Sequence, residues 1–303
     1  FICEEREGPW LLSVNPFSPH PTFHPPKEYL DKYDPEAIAY PPFRQSDVET
    51  QRTLSGLDQQ TVEAIDARKP PEERRAKVLD LPKDQLASIP PTDYDARLLR
   101  ACYYAEIELV DKQFGRILDA LARTGQLENT IVIFMSDHGE LLGDHGLLFK
   151  GCRFFESLVH VPLVISWQGM WNRNIQSEAL VELIDIAPTL LEAAGMEVPY
   201  YMQGKSLLPI LDGSGDPHSH KPYVFSEYND AMSAGTTANE YEGSHGTMYY
   251  DGRYKMAVYR GHETGEIYDH QEDPGEFDNL WDSAEQQDLK LRLLKEHLDA
   301  MMG

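Results

Sequence analysis

Asp137 and His138 stand side by side at the end of an apolar run, and Glu140, Asp144, His145 and Lys150 follow within the same glycine-punctuated stretch. A carboxylate and an imidazole presented together form half of a metal site, since divalent ions draw their protein ligands from such groups. Lys150 adds a cation set back from the acidic pair. That combination suits a substrate that is itself an oxyanion, whose charge a metal neutralises only in part. An Asp-His pair after a strand is also an ordinary turn, with the carboxylate on backbone amides and the ring in solvent. The further ligand-type residues weigh against that reading, and Gly139, Gly143 and Gly146 describe a loop that bends freely.

Such a site needs elements to hold it. Thr130 to Ser136 is almost unbroken in β-branched and apolar residues, the pattern of a strand buried on both faces of a parallel sheet. Open α/β sheets place ligands at the carboxyl ends of such strands. Upstream, Leu99, Tyr103, Ile107, Val110, Phe114, Ile117 and Leu121 recur at helical spacing, with a capping-box pattern at Thr92 and Asp95 and a stop at Gly125. This predicts a long amphipathic helix whose stripe lies in the core. Val161 to Trp167 predicts a second buried strand, and the order helix, strand, loop, strand suits a doubly wound sheet. Val181 to Ala194 reads as an apolar helix interrupted by Pro188 and stopped by Gly195; Gly204 to Leu211 reads as packing and His160 as structural.

Nearer the start, Trp10 to Val14 predicts a short buried strand ended by Asn15-Pro16. His20 and His24 follow in a proline-stiffened loop, either as solvated histidines of a rigid surface turn or as a second contribution to the site. Residues 31–91 lose periodicity and gather prolines and charges, which predicts a surface excursion or pocket-lining lid with short helices such as Asp58 to Ala67. The last third changes character. Tyr223 to Tyr228 alternates as a strand, Thr247 to Tyr259 reads as a hairpin around Asp251-Gly252, Glu266 to Asp269 as a further strand, and Ser283 to Met301 as a terminal helix. Strands followed by a helix predict a small α+β lobe. The loop from Asn229 to Gly246, which carries His245, could approach a substrate, but its composition assigns His245 no role.

The 303 residues suffice for a substantial core, and a net charge of −24 argues against nucleic acid or an anionic membrane surface as partner. Cys3, Cys102 and Cys152 are too few and scattered for a disulfide framework and leave the compartment open. The sequence contains neither an apolar run of transmembrane length nor a signal-peptide pattern.

The stretch SDHGELLGDHGLLFKG followed by VHVPLVISWQG resembles the second metal-binding segment of the sulfatases, in the alkaline-phosphatase-like superfamily. The helix around Asp185-Ile186 resembles the family's D-I-x-P-T-x-L element, and Gly265 to Leu280 repeats its C-terminal G-E-x-Y-D-x-x-x-D-P-x-E-x-x-N-L pattern. His20-Pro21-Thr22-Phe23 matches a loop whose first histidine hydrogen-bonds the sulfate. The resemblance implies an α/β, alkaline-phosphatase-like doubly wound sheet, partial in this chain and spanning residues 1–215, with a small α+β subdomain at 216–303. It implies metal ligation by Asp137 and His138, sulfate contact or proton transfer by His20, and stabilisation of the leaving oxygen by Lys150. Calcium is the cofactor so implied, with magnesium, manganese and zinc as alternatives. The substrate would be a sulfated small molecule or saccharide.

Two ligands are too few for a catalytic metal; in the family the rest come from an N-terminal Asp-Asp pair and a formylglycine nucleophile, whose motif follows none of Cys3, Cys102 and Cys152 and is opened by no serine. They are expected in an N-terminal part of the same protein, without which the 303 residues should hydrolyse no ester. Phosphate or phosphonate ester hydrolysis is the neighbouring reading, and a non-catalytic module that keeps the fold is the alternative of another class.

Overall fold

A computed structural model describes residues 1–54, 57, 64–74, 93–171, 174–230 and 244–302. Its longest element is α4, Ala96–Arg123, preceded by the short helices α1 (Lys27–Leu30), α2 (Gln45–Thr53) and α3 (Pro71–Arg74). Asp95 starts α4 by accepting from the Arg97 and Leu98 amides at 2.9 and 3.1 Å, and Gly125, at φ +68°, turns the chain out of it. Thr92, the expected partner in the capping box, lies outside the described residues. The apolar stripe of α4 is shallower than its spacing predicts. Ile107 is exposed and most of the other large side chains are half-buried, whereas Ala96, Ala101 and Ala105 are the deepest, followed by Leu121 and Glu106. Alanines let the backbone approach its neighbours closely, so the most buried face of the helix is a small-residue one.

After α4 come β1 (Val132–Met135), the short helix α5 (Glu156–Val159) and β2 (Leu163–Ser166). The two strands pair with each other and run antiparallel, Val132 opposite Ser166 and Met135 opposite Leu163. This departs from the parallel, doubly covered arrangement that the apolar runs predict. A parallel return needs a crossover, usually helical, whereas this connection is spent on a packed loop and only four residues of α5. Both strands are also only half covered: Phe114 of α4 packs on Phe134 with ring centroids 5.3 Å apart, but Met135 is 49% and Val164 60% exposed. Trp10 to Val14 is not a buried strand either; it joins neither sheet, and Leu11 is 81% exposed.

Residues 31–91 are more firmly held than a surface excursion, as far as they are described. Asp47 and Gln51 of α2, with Leu54, Leu57, Ala64 and Ile65 beyond it, are buried. Of the helix expected at Asp58 to Ala67, residues 58–63 lie outside the described residues and 64–66 are irregular. Further along, α6 (Ile186–Ala193) begins close enough to Pro188 for the proline to sit in its first turn, so it does not interrupt the helix. α7 (Leu208–Asp212) buries Ile210.

The C-terminal part is a meander of β3 (Val224–Asp230), β4 (Ser244–Tyr250), β5 (Tyr254–Tyr259) and β6 (Gly265–Asp269), antiparallel in that order, followed by α8 (Gln287–Met302). Side chains alternate across it. Tyr249, Met256 and Ile267 meet Leu293 of α8 on one face, while Met248, Ala257, Tyr259 and Tyr268 point at Cys152, Phe154 and Phe155 on the other. The sheet is thus clamped between α8 and the segment that carries the candidate site.

Candidate functional site

The chain between β1 and α5 is built as a closed, buried loop. Leu141 N donates to Phe149 O at 2.9 Å and Gly143 N to Leu147 O at 2.8 Å, which draws its two ends together. Non-glycine residues take positive φ at Leu142, His145 and Phe149, held there by burial around them. The freely bending loop predicted from its glycines is therefore a rigid one. Asp144 and His145 serve its packing: Arg100 lies 3.3 Å from Asp144, and His145 stacks on Phe155 at 3.9 Å with Nδ1 3.4 Å from Asp47. Neither is offered to a ligand.

Asp137 and His138 begin this loop where β1 ends. Gly139 N donates to Leu158 O and Glu140 N to Ser157 O, at 2.8 and 3.1 Å, fastening the turn to α5. Only glycine fits at 139, because a Cβ there would lie 1.8 Å from the Ser157 carbonyl oxygen. The Asp137 side chain is 85% exposed. Burial of the group opposes its charge, but the His138 ring, nearby amides and the Ser136 hydroxyl outweigh this and hold its carboxyl below the usual range. His138 Nδ1 lies 2.8 Å from Gly139 O, an acceptor only, so Nδ1 carries the hydrogen and Nε2 keeps its lone pair. That Nε2 is 3.7 Å from Asp137 Oδ2. A basic nitrogen and an ionised oxygen side by side fit the donor set that one divalent ion shares.

The second half of the site spans the chain. Lys150 Nζ is 2.8 Å from His20 Nε2. His20 Nδ1 is 2.8 Å from Pro21 O, so it donates there, and Nε2 must be the acceptor of the lysine's proton. Phe17 supports the ring at 4.8 Å between centroids. His24, by contrast, turns its Nδ1 to Thr22 Oγ1 at 2.6 Å and does not join Lys150. Glu140 links the two halves: it follows Asp137 and His138 in the turn and feels the Lys150 charge, though burial still pushes its carboxyl up to about 7.

A different group of ligand-type atoms, Glu156, His270 and Glu276, lies within 4.8 Å of one another. Lys255 fills it, donating to Glu156 and Glu276 at 2.6 Å each and to Phe154 O at 3.0 Å. An ammonium already supplies the positive charge that these carboxylates need, and it ties β5 to α5. His160 caps the same group from outside, 2.9 Å from Glu156, and His245 pairs with Glu227 at 2.9 Å.

One buried carboxylate escapes the sequence reading altogether. Glu106 of α4 is 3% exposed and its Oε1 accepts from His24 N at 2.8 Å, at the end of the loop that carries His20. A signal was present: the residue falls one heptad after Leu99, on the stripe otherwise given to apolar side chains.

An α/β part ending in a ligand-bearing turn, with an antiparallel lobe packed against it, defines an alkaline-phosphatase-like fold. The structure of the phosphonate monoester hydrolase of Agrobacterium radiobacter superposes with a TM-score of 0.77 at 28% identity, over 97% of this chain and 57% of that one. The Sulfatase family model matches residues 1–196, and the model for "N-sulphoglucosamine sulphohydrolase, C-terminal" matches 143–302. The chain belongs to the sulfatase family. It is 32% identical to arylsulfatase K of Xenopus laevis over 218 residues, 69% of this chain and 39% of that protein. It is 33% identical to an N-acetylglucosamine-6-O-sulfatase of Bacteroides thetaiotaomicron over 186 residues, 60% of this chain and 32% of that protein. The chain thus spans less than half the length of either curated relative. No helix among the described residues is long and apolar enough to cross a membrane.

Proposed function

We propose that these residues are the leaving-group side of a sulfatase that hydrolyses sulfate esters, on a sulfated saccharide or small molecule. The observation that carries this is the 2.8 Å contact between Lys150 and His20, brought together from distant parts of the chain. The pair sets an ammonium donor against a ring-nitrogen acceptor. As the S–O bond lengthens, negative charge gathers on the leaving oxygen, and Lys150 can turn from His20 to donate to it. When the proton rests on His20 Nε2 instead, the imidazolium donates to a sulfate oxygen, so the two residues share the tasks of binding and protonation. A divalent ion held by Asp137 and His138, calcium on the resemblance and magnesium, manganese or zinc otherwise, would supply neutralisation of the ester oxygens. The nucleophile and remaining ligands would come from an N-terminal part of the same protein.

Names among the relatives favour a saccharide, since one of them is an N-acetylglucosamine-6-O-sulfatase. Phosphonate esters are the second reading, supported by the likeness to a phosphonate monoester hydrolase. The test is to express the full-length protein with its formylglycine-generating partner and assay sulfate and phosphonate esters of the same alcohol. Preference for the sulfate supports the reading; preference for the phosphonate, or turnover of neither, overturns it.

A further inference from the structure

Glu106 is an expensive residue to bury on a helix face unless it holds something in place. Its carboxylate reaches the end of the loop from Phe17 to His24. Oε1 accepts from the His24 amide at 2.8 Å, while Oε2 is buried without a hydrogen-bond partner among the described residues. One turn away on α4, Tyr103 meets the Phe23 ring edge-on at 5.8 Å. Ahead of these anchors the loop is tightened by His20 N donating to Phe17 O at 3.0 Å, and the exposed His20 ring stands against Lys150.

We propose that Glu106 is a positioning residue: its buried carboxylate clamps the His24 end of the Phe17–His24 loop to α4 and thereby holds the His20 imidazole against Lys150. Its catalytic consequence rests on the reading of His20 and Lys150 as the leaving-group pair; the clamp itself does not. The hydrogen bond from the His24 amide fastens the end of the loop to α4, so a leucine of similar size at 106 keeps the packing and removes the tether. Glutamine keeps the oxygen that the His24 amide needs.

The test uses the full-length protein with Glu106→Leu, Glu106→Gln and, as a second apolar variant should the leucine fail to fold, Glu106→Met. The first readout is the rate at which diethyl pyrocarbonate modifies His20, followed by mass spectrometry, because both ring nitrogens are engaged only while the loop is held. Glu106→Leu and Glu106→Met should each raise that rate about tenfold, and Glu106→Gln should return it close to wild type. Modification of His20 at an unchanged rate in both apolar variants overturns the clamp. The second readout is kinetic. Glu106→Leu should lower kcat about tenfold with KM little changed, and should add no further loss in a His20→Ala background. A loss that adds fully to that of His20→Ala reduces Glu106 to a general stabiliser. If the wild-type protein hydrolyses no sulfate ester while the modification rates still respond, the clamp stands and the sulfatase reading alone falls.

Discussion

Lys150 Nζ and His20 Nε2 lie 2.8 Å apart, although one belongs to the loop after β1 and the other to a proline-rich turn near the start of the chain. Residues joined by a hydrogen bond act as a unit, so their substitutions should not add. In the full-length protein Lys150→Ala should lower kcat by about a hundredfold or more, and the His20→Ala, Lys150→Ala double variant should be little worse than the poorer single one. Alkyl or sugar sulfates should lose more than nitrophenyl sulfate, whose leaving oxygen needs little help. Equal losses on both would leave Lys150 a binding residue.

The turn that carries Asp137 and His138 offers a separate handle on the metal. Asp137→Ala in the full-length protein should lose bound divalent ion by elemental analysis, while Glu156→Gln, in the lysine-filled cluster, should retain it. Gly139→Ala should behave like Asp137→Ala without touching a ligand, because the added methyl group meets the Ser157 carbonyl oxygen at 1.8 Å and must displace the turn. Full metal content in Gly139→Ala would show that the turn tolerates movement.

Lys255 is 2% exposed and bonded to two carboxylates and a carbonyl. Burial alone would raise Glu276, but Lys255 and His270 outweigh it and hold the carboxyl below the ordinary range. Lys255→Met leaves buried acids without a counter-charge and should cost about 3–5 kcal/mol in urea unfolding. Since Glu276 is depressed, the network contributes fully above the ordinary glutamate range and fades as pH falls through the lower folded value. The deficit of the variant should therefore shrink in acid.

His297 gives the opposite kind of pH dependence. It is 2% exposed, its Nε2 is 2.8 Å from the Thr247 hydroxyl, and burial holds it down at about 4. An unfolded histidine takes its proton near pH 6.5, so between there and about 4 the unfolded chain binds more protons than the folded one. The full stability is present above pH 6.5, and about 3 kcal/mol is lost by pH 4. Replacing His297 with Gln should flatten this limb of the urea midpoint against pH; an unaltered slope would assign the acid sensitivity elsewhere.

How far the sequence was legible depends on what each signal measures. Asp251-Gly252 announces the turn between β4 and β5 because Gly252, at φ +94°, needs the conformation glycine permits. The long helix was equally plain, yet its deepest face was not, since periodicity of large side chains says nothing of where Ala101 and Ala105 approach a neighbour. Apolar runs located β1 and β2 but carry no information on strand direction. In the site, spacing singled out Lys150 and His20 separately; their contact depends on a rigid loop whose strained residues, such as Phe149, look ordinary in sequence. Glu106 was hidden for the converse reason, as a single charge among many on an acidic chain.

The β1–β2 ribbon bears on how this polypeptide behaves in solution. Each strand has only one neighbour among the described residues, so its outer row of N–H and C=O groups is left as an open edge, beside apolar side chains such as Met135 and Val164. An uncovered apolar edge is a template for another strand, and neither Val132–Met135 nor Leu163–Ser166 carries a Pro or a charge that would blunt it. The 303 residues by themselves should therefore associate through strand addition as their concentration rises, visible as light scattering that Val164→Lys suppresses.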